Sequence, residues 1–146
     1  EDKHRRGIYT YLKRTSPYPS FISFDAGSRE ICLVRRLPSN TPLQALVTLN
    51  DPVYLEAAIH LAKNHIDSTV EESIKKMYTA ATYRTIDEAI LSELVALYQK
   101  AIEELKENES SLNDFFELGE KLDPNTASLS IVANAIMNLD EFLTHG

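Results

Sequence analysis

Residues 40–52, NTPLQALVTLNDP, decide the fold of this chain because they carry two helix starts in succession. Thr41 is a favoured N-cap residue, and Pro42 follows it at the first helical position, where a missing N–H loses no hydrogen bond. Asp51-Pro52 repeats the same arrangement directly after a helix over Leu43–Leu49. The stretch therefore predicts two consecutive α-helices joined by a very short loop.

Downstream of this stretch, helix start signals and apolar residues at spacings of three and four continue to the end of the chain. Thr69 is a candidate N-cap, Thr85-x-x-Glu88 has the form of a capping box, and Asp123-Pro124 repeats the Asp-Pro start. These signals predict helices over about 52–66, 69–81, 86–107, 111–118 and 124–143. Together with the first helix they make about six, so the predicted fold is a mainly α array of helices.

The predicted helices each have one apolar stripe, and these stripes are the predicted core. Its members are Tyr54, Ala58, Leu61 and Ala62; Val70, Ile74, Met77 and Ala81; Ile90, Leu94, Leu97, Ala101 and Leu105; and Leu129, Val132, Ala133, Ile136, Leu139 and Leu143.

Residues 1–40 differ from the rest of the chain in residue pattern and in net charge. Short apolar clusters alternate with turn formers, and Phe21–Phe24 and Ile31–Val34 are a possible short hairpin around the turn residues 25–28. The segment holds eight Lys or Arg against four Asp or Glu, a net charge of +4, whereas residues 41–146 have a net charge of −11. We therefore expect a basic, irregular or extended arm that packs on an acidic helical body, the two forming one domain.

The composition excludes several classes of protein. The 146 residues are 43% hydrophobic and 25% charged, with only 4 Gly and 6 Pro, which is typical of a folded globular domain and not of a disordered or fibrous chain. A single cysteine rules out an internal disulfide and a Cys-rich zinc site. No apolar run approaches the roughly 20 residues that span a bilayer. The sequence also lacks a Gly-rich phosphate loop, a G-x-S-x-G elbow and an H-E-x-x-H motif.

One polar set near the arm is the best candidate for a ligand or partner site. Carboxylates beside arginines can form an acid–base pair or an anion pocket, but they can equally form a hydrogen-bond network that holds an irregular segment onto helices. We favour the network, since several members stand where helix caps are needed, and we assign no residue as catalytic. The set comprises Asp25, Arg29, Glu30, Arg35, Arg36, Asn40, Gln44, Asn50 and Asp51.

The remaining chemistry-bearing residues favour structural roles. His60 and His65 are five apart and diverge around a helix, and Glu56 with His60 fits an ordinary contact between neighbouring turns better than a metal pair. Cys32 lies near two arginines, but no motif supplies a histidine base, so we interpret it as a buried, inert thiol. We predict no metal and no cofactor in this chain.

The basic arm also carries tyrosines, a combination that occurs in nucleic-acid-binding proteins. Arg5, Arg6, Lys13 and Arg14 alternate with Tyr9 and Tyr11, but the whole chain has a net charge of −7. Complementarity with the acidic body explains the arm more simply, so we expect no nucleic-acid partner.

Several stretches resemble one known family. They are residues 5–15 (RRGIYTYLKRT), Phe24-Asp25-Ala26, Arg29-Glu30, Arg35-Arg36, residues 40–46 (NTPLQAL), residues 49–52 (LNDP) and residues 138–143 (NLDEFL). In these the chain resembles the C-terminal part of the planctomycete secreted domain, a family of unknown function in bacterial exported proteins.

The resemblance implies a setting and no reaction. Members of the family typically follow another uncharacterised domain and often a cytochrome-c-like module, so haem is possible in another module of the parent protein. The resemblance implies that this chain is the C-terminal fragment of a longer protein. It further implies export to the periplasm or cell surface, and the missing upstream domain as a partner.

Three hypotheses about function remain open. The first is an accessory or interaction domain without chemistry of its own. In the second, Asp25, Arg29, Glu30 and Arg35 form half of an active site, similar to that of a surface-polysaccharide hydrolase, which the upstream domain completes. In the third, exposed Tyr9, Tyr11 and Tyr18 bind carbohydrate. Whether the chain belongs to an enzyme stays open, and the residues favour the first hypothesis.

Overall fold

The computed structural model of the chain describes residues 9–11, 13, 15–16, 19–26, 39–107 and 122–144. Within these ranges it is mainly α-helical, which confirms the predicted fold class. The helices are α1 (Pro19–Ser23), α2 (Pro42–Asn50), α3 (Pro52–Asn64), α4 (Val70–Thr82), α5 (Glu88–Glu107), α6 (Pro124–Ile136) and α7 (Asp140–Leu143). The helix predicted over about 111–118 lies outside the described residues.

The starts of α2 and α3 follow the predicted cap chemistry. The Thr41 hydroxyl accepts a hydrogen bond from the Gln44 N–H at 3.3 Å, and the Gln44 side-chain oxygen accepts one from the Thr41 N–H at 2.8 Å. This reciprocal pair is a capping box. Asp51 ends α2 by donating its N–H to the Val47 carbonyl at 2.9 Å, and its carboxylate begins α3 by accepting from the Val53 N–H at 2.8 Å. The two consecutive helices predicted from residues 40–52 are confirmed.

The start of α5 differs from the prediction. A capping box at Thr85 would make Glu88 the third helical residue, but Glu88 is the first residue of α5. The Asp87 carbonyl accepts a helical hydrogen bond from the Leu91 N–H at 2.9 Å, and Ile86 packs on the core ahead of the helix. The predicted cap at Thr85 is therefore wrong, since the helical hydrogen bonds begin at the Asp87 carbonyl, two residues later than a cap at Thr85 requires.

The core is built around α6, which packs against α3, α4 and α5. Ile74, Met77, Leu129, Val132 and Ile136 are its largest fully buried apolar side chains. The predicted apolar stripes are confirmed, since each of their members is buried or partly buried. Small buried serines complete α6, and their hydroxyls bond to carbonyls one turn earlier at 2.7 Å, so these polar groups are satisfied within the helix.

The last predicted helix is interrupted. We predicted one helix over about 124–143, whereas α6 ends at Ile136 and α7 begins at Asp140. The Asn138 and Leu139 N–H groups bond to carbonyls three residues earlier, at 3.0 and 3.1 Å, and so tighten the last turn. The Asn138 side chain also bonds to the Asn134 carbonyl at 3.0 Å. This side-chain bonding competes with helix continuation, as asparagine commonly does.

The described part of the basic arm contains helix where a strand was considered. Phe21, Ile22 and Ser23 lie in α1, so the hairpin alternative is wrong in its first strand. The second proposed strand, residues 31–34, lies outside the described residues. The Phe24 ring then stacks on Tyr54 of α3, with ring centroids 6.0 Å apart.

Across the described ranges, no helix combines the length and the apolar character that crossing a membrane requires.

The N-cap of α6 gives a prediction about pH. The Thr126 hydroxyl, which donates to the Asp123 carboxylate at 2.5 Å, is the main cause that lowers the pKa of Asp123, and the Thr126 N–H adds to it at 3.1 Å. Asp123→Ala should lower the free energy of unfolding at neutral pH by about 0.5–2 kcal/mol. A depressed carboxyl pKa stabilises the fold above the unfolded pKa, and this contribution disappears as the pH falls through the folded pKa. Urea unfolding should therefore show the cost shrinking below about pH 4.

Thr69→Ala is the matched control, because Thr69 caps α4 with a hydroxyl that does not titrate in this range. Its cost should stay constant over the same pH interval. A cost of Asp123→Ala that also stays constant would contradict the role given to the ionised carboxylate.

Candidate functional site

Asp25 closes α1 and joins it to the chain that leads into α2. Its backbone is left-handed, with φ of 53°, and the Ala26 N–H donates to the Phe21 carbonyl at 2.8 Å, which is the pattern of a Schellman helix end. The Asp25 carboxylate accepts hydrogen bonds from the Ser39 N–H at 2.9 Å and from the Ser39 hydroxyl at 2.5 Å. Asp25 therefore connects two segments that are 14 residues apart.

These contacts also fix the charge state of Asp25. The hydrogen bond from the Ser39 hydroxyl, followed by the one from the Ser39 N–H, lowers the pKa of the Asp25 carboxyl below its usual value. A carboxyl group with a lowered pKa is ionised at neutral pH and does not supply a proton as a general acid would. Asp25 is thus placed as a hydrogen-bond acceptor.

Gln44 and Asn40 extend the same contacts around the start of α2. Gln44 is 2% exposed, and its amide nitrogen donates to the Ser39 hydroxyl oxygen at 3.3 Å. The Asn40 side chain donates to the Asp140 carboxylate at 3.0 Å, although the two residues are 100 positions apart. The beginning of α2 is therefore where the arm and α7 meet.

Asn50 and Asp51 stand at the other end of α2, Asn50 as its last residue and Asp51 as its cap. The Asn50 side-chain amide donates to the Leu46 carbonyl one turn earlier at 2.8 Å, a bond within the last turn of α2. Asp51 caps α3, as described above.

The structure thus brings five of the nine candidate residues to the two ends of α2: Asp25, Asn40, Gln44, Asn50 and Asp51. The other four, Arg29, Glu30, Arg35 and Arg36, lie outside the described residues. A ligand or partner site formed by the whole set stays a prediction.

A second polar cluster, which we did not predict, holds α2 onto α6. The Thr48 hydroxyl bonds to the side-chain oxygen of Asn138, and the Asn134 side-chain amide donates to the Thr48 carbonyl at 3.3 Å. The Asn138 amide in turn donates to the Asn134 side-chain oxygen at 3.2 Å. Thr48 is 0% and Asn134 5% exposed. The only sequence signal for this cluster is that Thr48 and Gln44 share one helix face at a spacing of four.

Because α2 buries these polar residues, its three leucines face outward. Gln44 and Thr48 are buried, whereas Leu43, Leu46 and Leu49 are 55%, 58% and 49% exposed. Residues 43, 46 and 49 follow one another at a spacing of three, so they form a stripe opposite the buried pair. We call this stripe the outer face of α2. It reverses the usual arrangement, in which a helix turns its leucines to the core.

An apolar cavity of about 230 Å³ lies at the Leu49 end of the outer face. Leu55, Leu97, Ile131 and Ala135 line it together with Leu49, and Ser130 and Asn134 complete the lining. The cavity therefore lies where α2, α3, α5 and α6 meet.

The histidines, the cysteine and the tyrosines weighed in the sequence analysis are only partly described. His60 is exposed, the His65 ring nitrogen bonds to the Leu61 carbonyl at 2.8 Å, and His4, His145 and Cys32 lie outside the described residues. In the part of the chain that the structure describes, no three or more His, Cys, Asp or Glu residues lie together as a metal ion would need. Tyr9 and Tyr11 are 72% and 84% exposed, and Tyr18 is not described.

Comparison with known protein families gives a match. The family model PSD1, described as protein of unknown function (DUF1553), matches residues 1–98. The matched range includes α1 to α4, the first half of α5 and all nine candidate site residues, but not α6, α7 or the NLDEFL stretch at 138–143. No curated protein and no solved structure matches the chain.

Proposed function

The chain belongs to the PSD1 family of proteins of unknown function (DUF1553), and from this premise we propose that it is an α-helical interaction domain without chemistry of its own. In this proposal the binding surface is the outer face of α2, formed by Leu43, Leu46 and Leu49. The buried polar side of the same helix fixes α2 to the rest of the fold.

The observation that carries the proposal is the exposure of these three leucines. Each is about half exposed, on a helix that has no charged residue between Thr41 and Asn50. Single exposed apolar residues are common on protein surfaces, but a contiguous stripe that adjoins an apolar cavity is typical of an interaction site. The caps and the Thr48–Asn134–Asn138 cluster hold this stripe in place, so a partner would find it already formed.

The surroundings of Asp25 support an interaction domain over half of an active site. Its carboxylate is occupied by Ser39, and its lowered pKa favours the ionised form. The composite active site, with a polysaccharide as substrate, remains the second hypothesis. It requires that Asp25→Ala in the full-length protein abolish activity on surface glycans.

The setting proposed with this function comes from the family resemblance. We place the domain in an exported bacterial protein, in the periplasm or at the cell surface, with an upstream domain of the same polypeptide as its first candidate partner. Haem chemistry would then belong to a separate cytochrome-c-like module. The complete natural reading frame tests this setting: a signal peptide with an upstream CxxCH supports it, and the lack of both contradicts it.

Site-specific photo-crosslinking in the full-length protein tests the interaction function. A photoreactive residue at position 46 should give a defined cross-link, and mass spectrometry should locate it in one polypeptide segment. A second version with Leu43→Ser and Leu49→Ser should lose that cross-link, because both flanking contacts are removed.

Ile66 provides the matched control position. Ile66 is 48% exposed and lies beyond the far end of α3, a helix of 13 residues and therefore about 20 Å long. A photoreactive residue there should not give the same cross-link. Equal labelling from positions 46 and 66 would contradict the proposal that the outer face of α2 is the binding surface.

A further inference from the structure

We propose that the partner bound by the outer face of α2 is a basic amphipathic helix that inserts one apolar side chain into the adjoining cavity. This inference rests on the proposed function and adds the chemistry of the partner. The charges around α2, the shape of the apolar stripe and the volume of the cavity each support it.

Among the residues that the structure describes, the charged groups around α2 are mainly acidic. Helices α1, α3 and α6 pack against α2, and α7 is tied to the residue before Thr41 by the Asn40–Asp140 bond. In α1, α2, α6 and α7 there is no Lys or Arg, and α3 carries Lys63 only, in its last turn. The carboxylates at the ends of α2 are Asp25, Asp51 and Asp140. Basic side chains that flank an apolar ridge would complement such a rim.

The apolar stripe has the shape that a helical partner needs. Leu43, Leu46 and Leu49 repeat every three residues along a helix of nine residues, which is about 13 Å long. A helix that lies against another contributes residues at spacings of three and four to such a contact. Two to three turns of a partner would cover the stripe.

The cavity suits one side chain of that partner. Its volume of about 230 Å³ is below the roughly 300–1,000 Å³ of common small-molecule sites. Its walls are mainly Leu49, Leu55, Leu97 and Ile131. An apolar anchor that fills a pocket beside a flatter contact is the arrangement found at binding hot spots.

The same charges disfavour two other occupants. A second copy of the chain would bring two bodies of net charge −7 together at their acidic rims. An anionic lipid surface would meet the same repulsion, because such surfaces attract basic segments. A basic polypeptide helix is the occupant that the charges favour.

A binding experiment with designed peptides tests the proposal. The probe is a capped peptide of about 15 residues, long enough to form a helix, with leucines on one face and lysines on the other. A second peptide has every lysine replaced by glutamate. Fluorescence anisotropy should show that the lysine peptide binds at least about 10-fold more tightly, and that its affinity falls as salt is raised.

Variants of the protein test whether the peptide binds at the outer face of α2 and in the cavity. Leu46→Ser should weaken binding of the lysine peptide about 10-fold, and Ala135→Leu, which fills the cavity, should also weaken it. Ile66→Ser removes another apolar residue that is about half exposed and should leave the affinity unchanged. Circular dichroism of each variant verifies that the fold is retained.

Three results would overturn the proposal. They are tighter binding of the glutamate peptide, binding of the lysine peptide that Leu46→Ser does not weaken, and a dimer in sedimentation that Leu46→Ser dissociates. The crosslinking experiment distinguishes a failure of the basic-helix proposal from a failure of the proposed interaction function. A defined cross-link at position 46 together with any of these results would keep the interaction domain and reject the basic helix.

Discussion

Leu129→Ala is expected to lower the free energy of unfolding by about 3–4 kcal/mol, within the range found when a buried leucine is truncated. Leu129 is 1% exposed and lies in the core cluster of α6. Truncation removes apolar contacts and leaves a void, because the surrounding helices can close only partly around it. A domain of this size is stable by about 5–15 kcal/mol, so the loss is a large part of the total. Urea unfolding followed by circular dichroism measures it.

Leu129→Met is the control for this prediction. Methionine nearly conserves the volume and the apolar character, so the cost should stay below about 1.5 kcal/mol. If Leu129→Ala costs no more than Leu129→Met, the packing of α6 is not that of the core described above.

Asn134→Ala is expected to cost about 2–3 kcal/mol, although it removes a polar side chain from an apolar helix. The Asn134 amide donates to the Thr48 carbonyl at 3.3 Å, and its oxygen accepts from Asn138 at 3.2 Å. Both partners are buried or partly buried, so each would lose a hydrogen bond without free access to water. The same urea experiment measures the effect.

Two further variants isolate the hydrogen bonds from the loss of volume. Asn134→Leu fills the space with an apolar side chain of similar size and should still cost at least about 1 kcal/mol, since the buried Thr48 carbonyl loses the hydrogen bond that Asn134 gives it. Asn64→Ala removes an exposed asparagine and should cost about 0.5 kcal/mol or less. Asn134→Leu that proves neutral would show that the polar cluster does not hold α2 in place.

The parts of the fold that local chemistry decides could be predicted from the sequence. Thr41-Pro42 and Asp51-Pro52 place the boundary between α2 and α3, because cap bonds form between neighbours in the chain. The apolar stripes of α3 to α6 were also predictable from their periodicity. The boundaries at Glu88 and Ile136 were not predicted; at Ile136, side-chain bonding by Asn138 competes with continuation of the helix.

The orientation of α2 is the feature that sequence patterns could not give. Leu43, Leu46 and Leu49 look like the core face of an amphipathic helix, whereas the structure exposes them. The polar side of α2 faces the fold because Thr48 hydrogen-bonds to Asn134 and Asn138, which lie 86 and 90 residues away in the sequence. No local pattern around Thr48 carries that information.

Only the polar part of the candidate site could be predicted from the sequence. Asn40, Gln44, Asn50 and Asp51 were singled out because they are polar residues near helix ends, and the structure places them at the two ends of α2. The apolar stripe between them was not considered as a binding surface, since its exposure depends on the orientation of the helix.

The central claim is that α2 packs against the rest of the fold through its polar side and exposes its apolar side to a binding partner. The most direct test compares the free energies of unfolding of Thr48→Val and Leu46→Ser in one urea experiment. Thr48→Val keeps the shape but removes the buried hydroxyl, so it should cost about 1–3 kcal/mol. Leu46→Ser changes a residue that is 58% exposed and should cost about 0.5 kcal/mol or less. A larger cost for Leu46→Ser than for Thr48→Val would contradict the claim.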